Sequence, residues 1–186
     1  MLTSGPNRQI GVSLIELVIG LAIIAMLLRF GIPSLGEWIQ NAQIRTASES
    51  VLNGLQKARA EAVRQNTNVE FILTAPGSTG GTGWIVRLAN TGATIESKPA
   101  GEGSANVVLT PTPADANRIT FTGLGRTPTN PALNADGSSL LTRIDADSAA
   151  LSAAESREMR VVVSTGGSLL LCDPNIADTT DPRACP

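Results

Sequence analysis

The chemistry this chain could perform centres on one carboxylate. Glu16 lies inside the seventeen-residue run Val12–Leu28, whose only other polar member is Ser13. An acid inside a membrane helix costs roughly 2.5 kcal/mol or more at the bilayer centre, and less near an interface, so it normally has a partner. Four residues earlier, cleavage of the Gly11–Val12 bond would expose an α-amino cation on Val12. Amine and carboxylate could then pair within one helix. In a bundle of staggered copies, the amine of one chain could instead meet the carboxylate of the next. Leaving that carboxylate alone among apolar helices is expensive, so such a pair could fix the axial register of a new subunit.

The remaining candidates argue against catalysis. Histidine is absent, which removes the commonest general base, the usual nucleophilic triads and most zinc sites. Gly77–Gly83 is glycine-rich, but no Gly-Lys-Ser/Thr follows it and the helix lies on the wrong side for a phosphate loop. Asp145 and Asp147 lack the Gly and the final Glu of a calcium loop. Asp173, Asp178 and Asp181 could hold a cation, but they read better as a solvated acidic turn. No metal, cofactor or enzymatic activity is predicted. With 14 basic and 16 acidic residues and a net charge of −2, no basic stripe marks a nucleic-acid binder. Cys172 and Cys185 are free thiols in a reducing compartment, or a disulfide in an exported domain.

The elements that must position Glu16 follow from patterning. Residues 1–11 are polar and carry Arg8, so the positive-inside tendency leaves them in the cytoplasm and exports the C-terminal bulk. The apolar run approaches the roughly 20 residues that cross a bilayer. No small-residue cleavage site follows Leu28, so the run is retained as an anchor. By hydropathy alone a plain single-pass anchor is the simplest reading. Arg29 sits where its side chain can reach the outer interface. Beyond Pro33, Ile44, Ala47, Val51, Leu55, Ala58 and Ala62 mark one helical face. The helix is expected to end near Gln65–Thr67, about 55 residues and roughly 80 Å from Val12, with a bend at Gly31 and Pro33. Strands are expected at 69–73, 84–88, 106–109, 118–121, 159–163 and 168–172, separated by Gly or Pro clusters. Residues 127–154 are poorly patterned and read as a long loop. Trp38 and Trp84 are read as packing residues. Aromatics make up only 3% of the chain and Tyr is absent, which suits a small, loop-rich β domain. The division is therefore a leader at 1–11, an anchor helix at 12–33 and an exported part at 34–186.

At Gly11-Val12-Ser13-Leu14-Ile15-Glu16-Leu17 the sequence resembles the processing motif of the type IV pilin superfamily. That motif has Gly before the cut, an apolar residue after it, and Glu fifth in the mature chain. The resemblance implies cleavage after Gly11 and N-methylation of Val12 by a prepilin peptidase, with Pro33 as the helix-bending proline. Val12 stands where Phe is most frequent. Ala58-Arg59-Ala60-Glu61-Ala62, Gly83-Trp84-Ile85-Val86, Arg160-Val161-Val162-Val163, Cys172-Asp173-Pro174 and Asp181-Pro182-Arg183-Ala184-Cys185 are similar to the GspH/FimT-like branch. That branch implies an α+β fold, a long N-terminal helix whose outer half packs on an antiparallel head of two β-sheets. In such an exported head, Cys172 and Cys185 are expected as a disulfide that pins the C-terminal segment.

The resemblance implies a minor pilin of a tip or priming complex, with other major and minor pilins, prepilin peptidase and the inner-membrane assembly platform as partners. It would wait in the inner membrane with a periplasmic domain and move to an extracellular pilus. The alternative is a type II secretion pseudopilin, against which the terminal Cys pair argues. A DNA-uptake pilin is less favoured. The Gly-Arg-x-Arg contact of that type is here Gly166-Gly167-Ser168-Leu169-Leu170-Leu171, without arginine, and phosphate contacts need clustered cations. Mass spectrometry of the mature polypeptide is expected to find a chain that begins at Val12 and carries one methyl group on its amine. A start at any other residue refutes the processing assignment.

Overall fold

The structure is a computed structural model. It describes residues 12–128, 134 and 137–186, and leaves the side chains of 29–34 outside the description. Contacts divide the chain into two compact units, one up to Gly36 and the other Glu37–Pro186.

The helix α1, Leu14–Gln65, runs through both units. It starts after Ser13, whose carbonyl accepts from Leu17 N–H at 3.1 Å. It stops at Asn66, whose φ of 48° is the left-handed conformation that Asn tolerates. Asn66 N–H then donates to Val63 O at 3.3 Å and Thr67 N–H to Ala62 O at 3.2 Å, the paired bonds of a Schellman stop. The predicted end is thus confirmed and given its cause.

Eight strands follow: β1 Val69–Leu73, β2 Trp84–Leu88, β3 Thr94–Lys98, β4 Val107–Thr112, β5 Arg118–Phe121, β6 Arg143–Ser148, β7 Met159–Val163 and β8 Leu169–Cys172. They form two antiparallel sheets, ordered β3-β2-β1-β5 and β4-β6-β7-β8. The α+β expectation holds. Two strands were not foreseen. β6 lies within the supposed loop at 127–154; its Asp and Ala residues carry low strand propensity, yet Ile144, Ala146 and Ser148 alternate inward between β4 and β7. β3 is a mostly exposed edge strand containing Glu96 and Lys98, where charge discourages further pairing. β4 runs further than predicted, through Pro111, which an edge strand admits.

The second unit has one continuous core. All six residues of the predicted helical face, Ile44 to Ala62, are fully buried. They pack with Val69, Phe71 and Leu73 of β1, Val107 and Leu109 of β4, and Val161 and Val163 of β7. Phe71 and Trp84 stack at 5.9 Å between ring centroids, and Trp84 Nε1–H donates to Ser50 Oγ at 3.0 Å. Gly54 lets the helix approach these rings: a Cβ there would lie 2.8 Å from Phe71 Cε2 and 3.0 Å from two Trp84 atoms.

Gly54→Ala tests that approach. Alanine favours a helix over glycine by about 1 kcal/mol, but forced overpacking costs about 1–3 kcal/mol. The expected outcome is a lower thermal midpoint by calorimetry, and a deeper drop for Gly54→Leu. A raised midpoint would show that the rings have room to retreat.

Candidate functional site

Among the described residues of the first unit no side chain is buried. Leu14 is 82% exposed and Leu27 66%, with Ile15, Leu17, Val18, Ile19, Leu21, Ile23 and Ile24 exposed between them. Consecutive residues of a helix point about 100° apart, so the apolar surface goes all the way round. A helix of that kind belongs inside a bundle or a bilayer. Among the described residues no helix is long and apolar enough to cross a membrane. The apolar stretch with described side chains, Leu14–Leu28, falls short of the roughly 20 residues required.

Glu16 sits in the first turn of α1 with its side chain exposed. There the positive end of the helix dipole favours a carboxylate. Its carboxylate has no hydrogen bond or ion pair among the described residues. Val12 is 72% exposed at the start of the described chain. Gly11 lies outside the described residues, and so does the side chain of Pro33, although the helical backbone continues through position 33.

The second unit answers the other sequence candidates. Cys172 and Cys185 form a disulfide with Cα atoms 5.1 Å apart. The nearby acids serve their own turns: Asp173 Oδ1 accepts from Asn175 N–H, Asp178 Oδ1 from Thr180 N–H, and Asp181 Oδ1 from Arg183 N–H, each at 2.8–2.9 Å. Among the described residues no group of His, Cys, Asp and Glu is placed to hold a metal ion. Asp145 pairs with Arg143 at 3.0 Å and with Arg160. Asp147 accepts from Ser156 Oγ and from Ser148 N–H. Burial pushes the Glu158 carboxyl up, and Asp147 and Asp145 push it further. The glycine-rich 77–83 stretch joins the two sheets, as Gly77 N–H and Gly80 N–H each donate to β4 carbonyls at 2.8 Å. Both residues have positive φ, which glycine adopts without strain.

Trp84 packs as expected, but Trp38 does not: it is 68% exposed. Position 38 falls off the stripe that runs through Ile44, so the head never covers it. With Leu35 and Ile39 it extends the exposed apolar surface onto the second unit. Sequence reasoning missed the part of Asn41, whose side chain accepts from Arg157 N–H at 2.8 Å and donates to Glu155 O at 3.0 Å. These bonds tie the 149–158 loop to the helix, a pairing across more than a hundred residues that no local signal announces.

Arg183 beside Asp181, at 2.7 Å, holds the Asp181 carboxyl down at about 2. A depressed acid contributes stability that is complete above its unfolded value near 3.9 and is lost as pH falls through the folded value. The expected result by carboxyl NMR is an Asp181 midpoint near 2, raised toward the ordinary aspartate range by Arg183→Ala, which removes the side-chain bond and keeps the backbone one. An ordinary midpoint in the parent chain would show that the pair does not form.

Residues 47–167 match the family model described as Type II transport protein GspH, and residues 6–28 match the prokaryotic N-terminal methylation motif. No curated protein matches the chain. Among solved structures, the type IV minor pilin FimU of Pseudomonas aeruginosa has 19% identity and a TM-score of 0.52, covering 73% of this chain and 92% of that one. A second crystal form of FimU, also 19% identical, gives 0.49, with 73% and 97% covered. At that identity the likeness establishes a shared fold. The family match spans well over half of the chain, and the helix-and-two-sheet architecture agrees with it: the chain belongs to the family described as Type II transport protein GspH.

Proposed function

We propose that this chain is a minor pilin, a structural subunit without enzymatic activity. Prepilin peptidase cuts between Gly11 and Val12 and methylates Val12. The mature chain stays in the inner membrane with its head in the periplasm until the assembly platform moves it into a filament beside other major and minor pilins. The observation that carries this reading is the all-round exposed apolar helix with one carboxylate, Glu16, in its first turn and without a partner among the described residues. Moving each Leu or Ile side chain out of water contributes about 1.5–3 kcal/mol, so the helix needs lipid first and neighbouring helices afterwards. Within the bundle, Glu16 receives the Val12 amine of an adjoining subunit and sets the axial step. Pro33 bends the helix between anchor and head. FimU, which shares the fold, is a type IV minor pilin; the tip or priming complex is the place proposed for this chain.

A second reading, the pseudopilin of a type II secretion system, is favoured by the description of the matching family as a type II transport protein. The disulfide-held C-terminal segment favours the pilus. Deleting the gene separates them: loss of surface pili with secretion intact supports the pilus, and the reverse pattern supports the pseudopilin.

Glu16→Ala removes the proposed docking charge and leaves the head untouched. Breaking a buried pair typically costs 3–5 kcal/mol, so copies recovered in sheared filaments are expected to fall about tenfold or more while membrane levels hold. Undiminished incorporation would refute the docking role.

A further inference from the structure

β8 is an edge strand. Its ladder with β7 pairs Arg160 with Cys172 and Val162 with Leu170, and Ser164 N–H donates to Ser168 O at 3.0 Å. The backbone groups of Ser168, Leu170 and Cys172 therefore point at β7. By antiparallel alternation those of Leu169 and Leu171 point toward the open edge. One step on, that edge is occupied. Asp173 N–H donates to Arg183 O at 2.8 Å, and Asp173 and Ala184 form a parallel bridge. The chain already uses this edge as a strand template at one end, and the outward backbone groups of Leu169 and Leu171 have no strand partner among the described residues, while their side chains pack half-buried against the core.

The flank of α1 supplies the opposite wall. A cavity of about 650 Å³ lies between Arg59, Val63 and Arg64 of the helix and Leu169. A second, of about 370 Å³, lies over Met159 and Leu171, with Arg45, Arg157 and Arg183 among its lining residues. Arg45 is paired with Glu49 at 2.8 Å and Arg183 with Asp181 at 2.7 Å. The guanidinium of Arg157 has no partner among the described residues, while its backbone is held by Asn41. A free strand edge between two cavities has the form of an extended peptide. Arg64 is paired with Glu61 at 2.7 Å and Asp173 also lines the second cavity, so the one cation available among the described lining residues, Arg157, specifies a single carboxylate on it.

We infer that the open edge of β8 receives an extended acidic segment of a partner chain as an added strand. Its main chain bonds Leu169 and Leu171, a carboxylate reaches Arg157, and alternate apolar side chains fill the two cavities. Main-chain pairing supplies the affinity of such an added strand, and the cavities supply its selectivity. The inference rests on the geometry of the head alone and holds for either kind of filament.

The test uses the isotopically labelled full chain in detergent, titrated with a hexapeptide of alternating valine and aspartate and with a valine–lysine control. The acidic peptide is expected to bind and to slow exchange of the Leu169 and Leu171 amides. Arg157→Glu is expected to weaken binding about tenfold without moving the melting temperature, since its side chain is exposed. The proposal is overturned if the acidic peptide fails to bind, if both peptides bind equally, if the two amides exchange as before, or if the variant binds normally. A single-stranded oligonucleotide that displaces the peptide and binds more tightly would also overturn it, by making the groove a phosphate site.

Discussion

An apolar helix cannot stay in water, and this constraint governs the molecule. From Leu14 to Leu28 most side chains are large, apolar and exposed, and none of them is buried among the described residues. In the proposed assembly its partners come from outside, as lipid or as the same kind of helix from other subunits. A single acid at its start then matters more than any charge on the head. In a bundle without water, an unpaired carboxylate is the least tolerable group present.

From Ile44 onward the same helix obeys a different rule. Its apolar residues narrow to one stripe, and that stripe is dry against both sheets. Gly54 sits where the helix meets the two largest rings of the core, so the closeness of helix to sheet is set by one missing methyl group. Side-chain bonds reinforce the contact. Asn41 holds the 149–158 loop, Gln40 and Gln43 hold Asn106, and Arg59 Nε donates to Gly125 O at 3.1 Å. The helix is the column on which the loops of the head are hung.

The C-terminal segment has a comparable structural logic. The disulfide fixes one end, a backbone bridge to Asp173 fixes the chain beside β8, and the aspartates are engaged by adjacent amides. That engagement orders the turns of the acidic stretch. It also leaves the middle of β8 as an open edge, with arginines near it.

Much of this was legible beforehand. The run from Val12 to Leu28, the isolated Glu16, the stripe from Ile44 to Ala62 and the stop near Asn66 all follow from local rules: hydropathy, helical period and the conformational tolerance of Asn. Six of the eight strands carried enough branched and aromatic residues to be seen. β6 and β3 did not, because Asp-rich and charged strands are stabilised by their neighbours in the sheet rather than by their own propensity. Trp38 misled for a related reason: its type suggests a core, but only the phase of the helix decides which side meets the sheets. The tertiary structure alone brought Arg157 beside Asn41, set Gly54 under two rings and left one edge of β8 open. Each depends on which distant segments meet, and sequence separation carries no information about that.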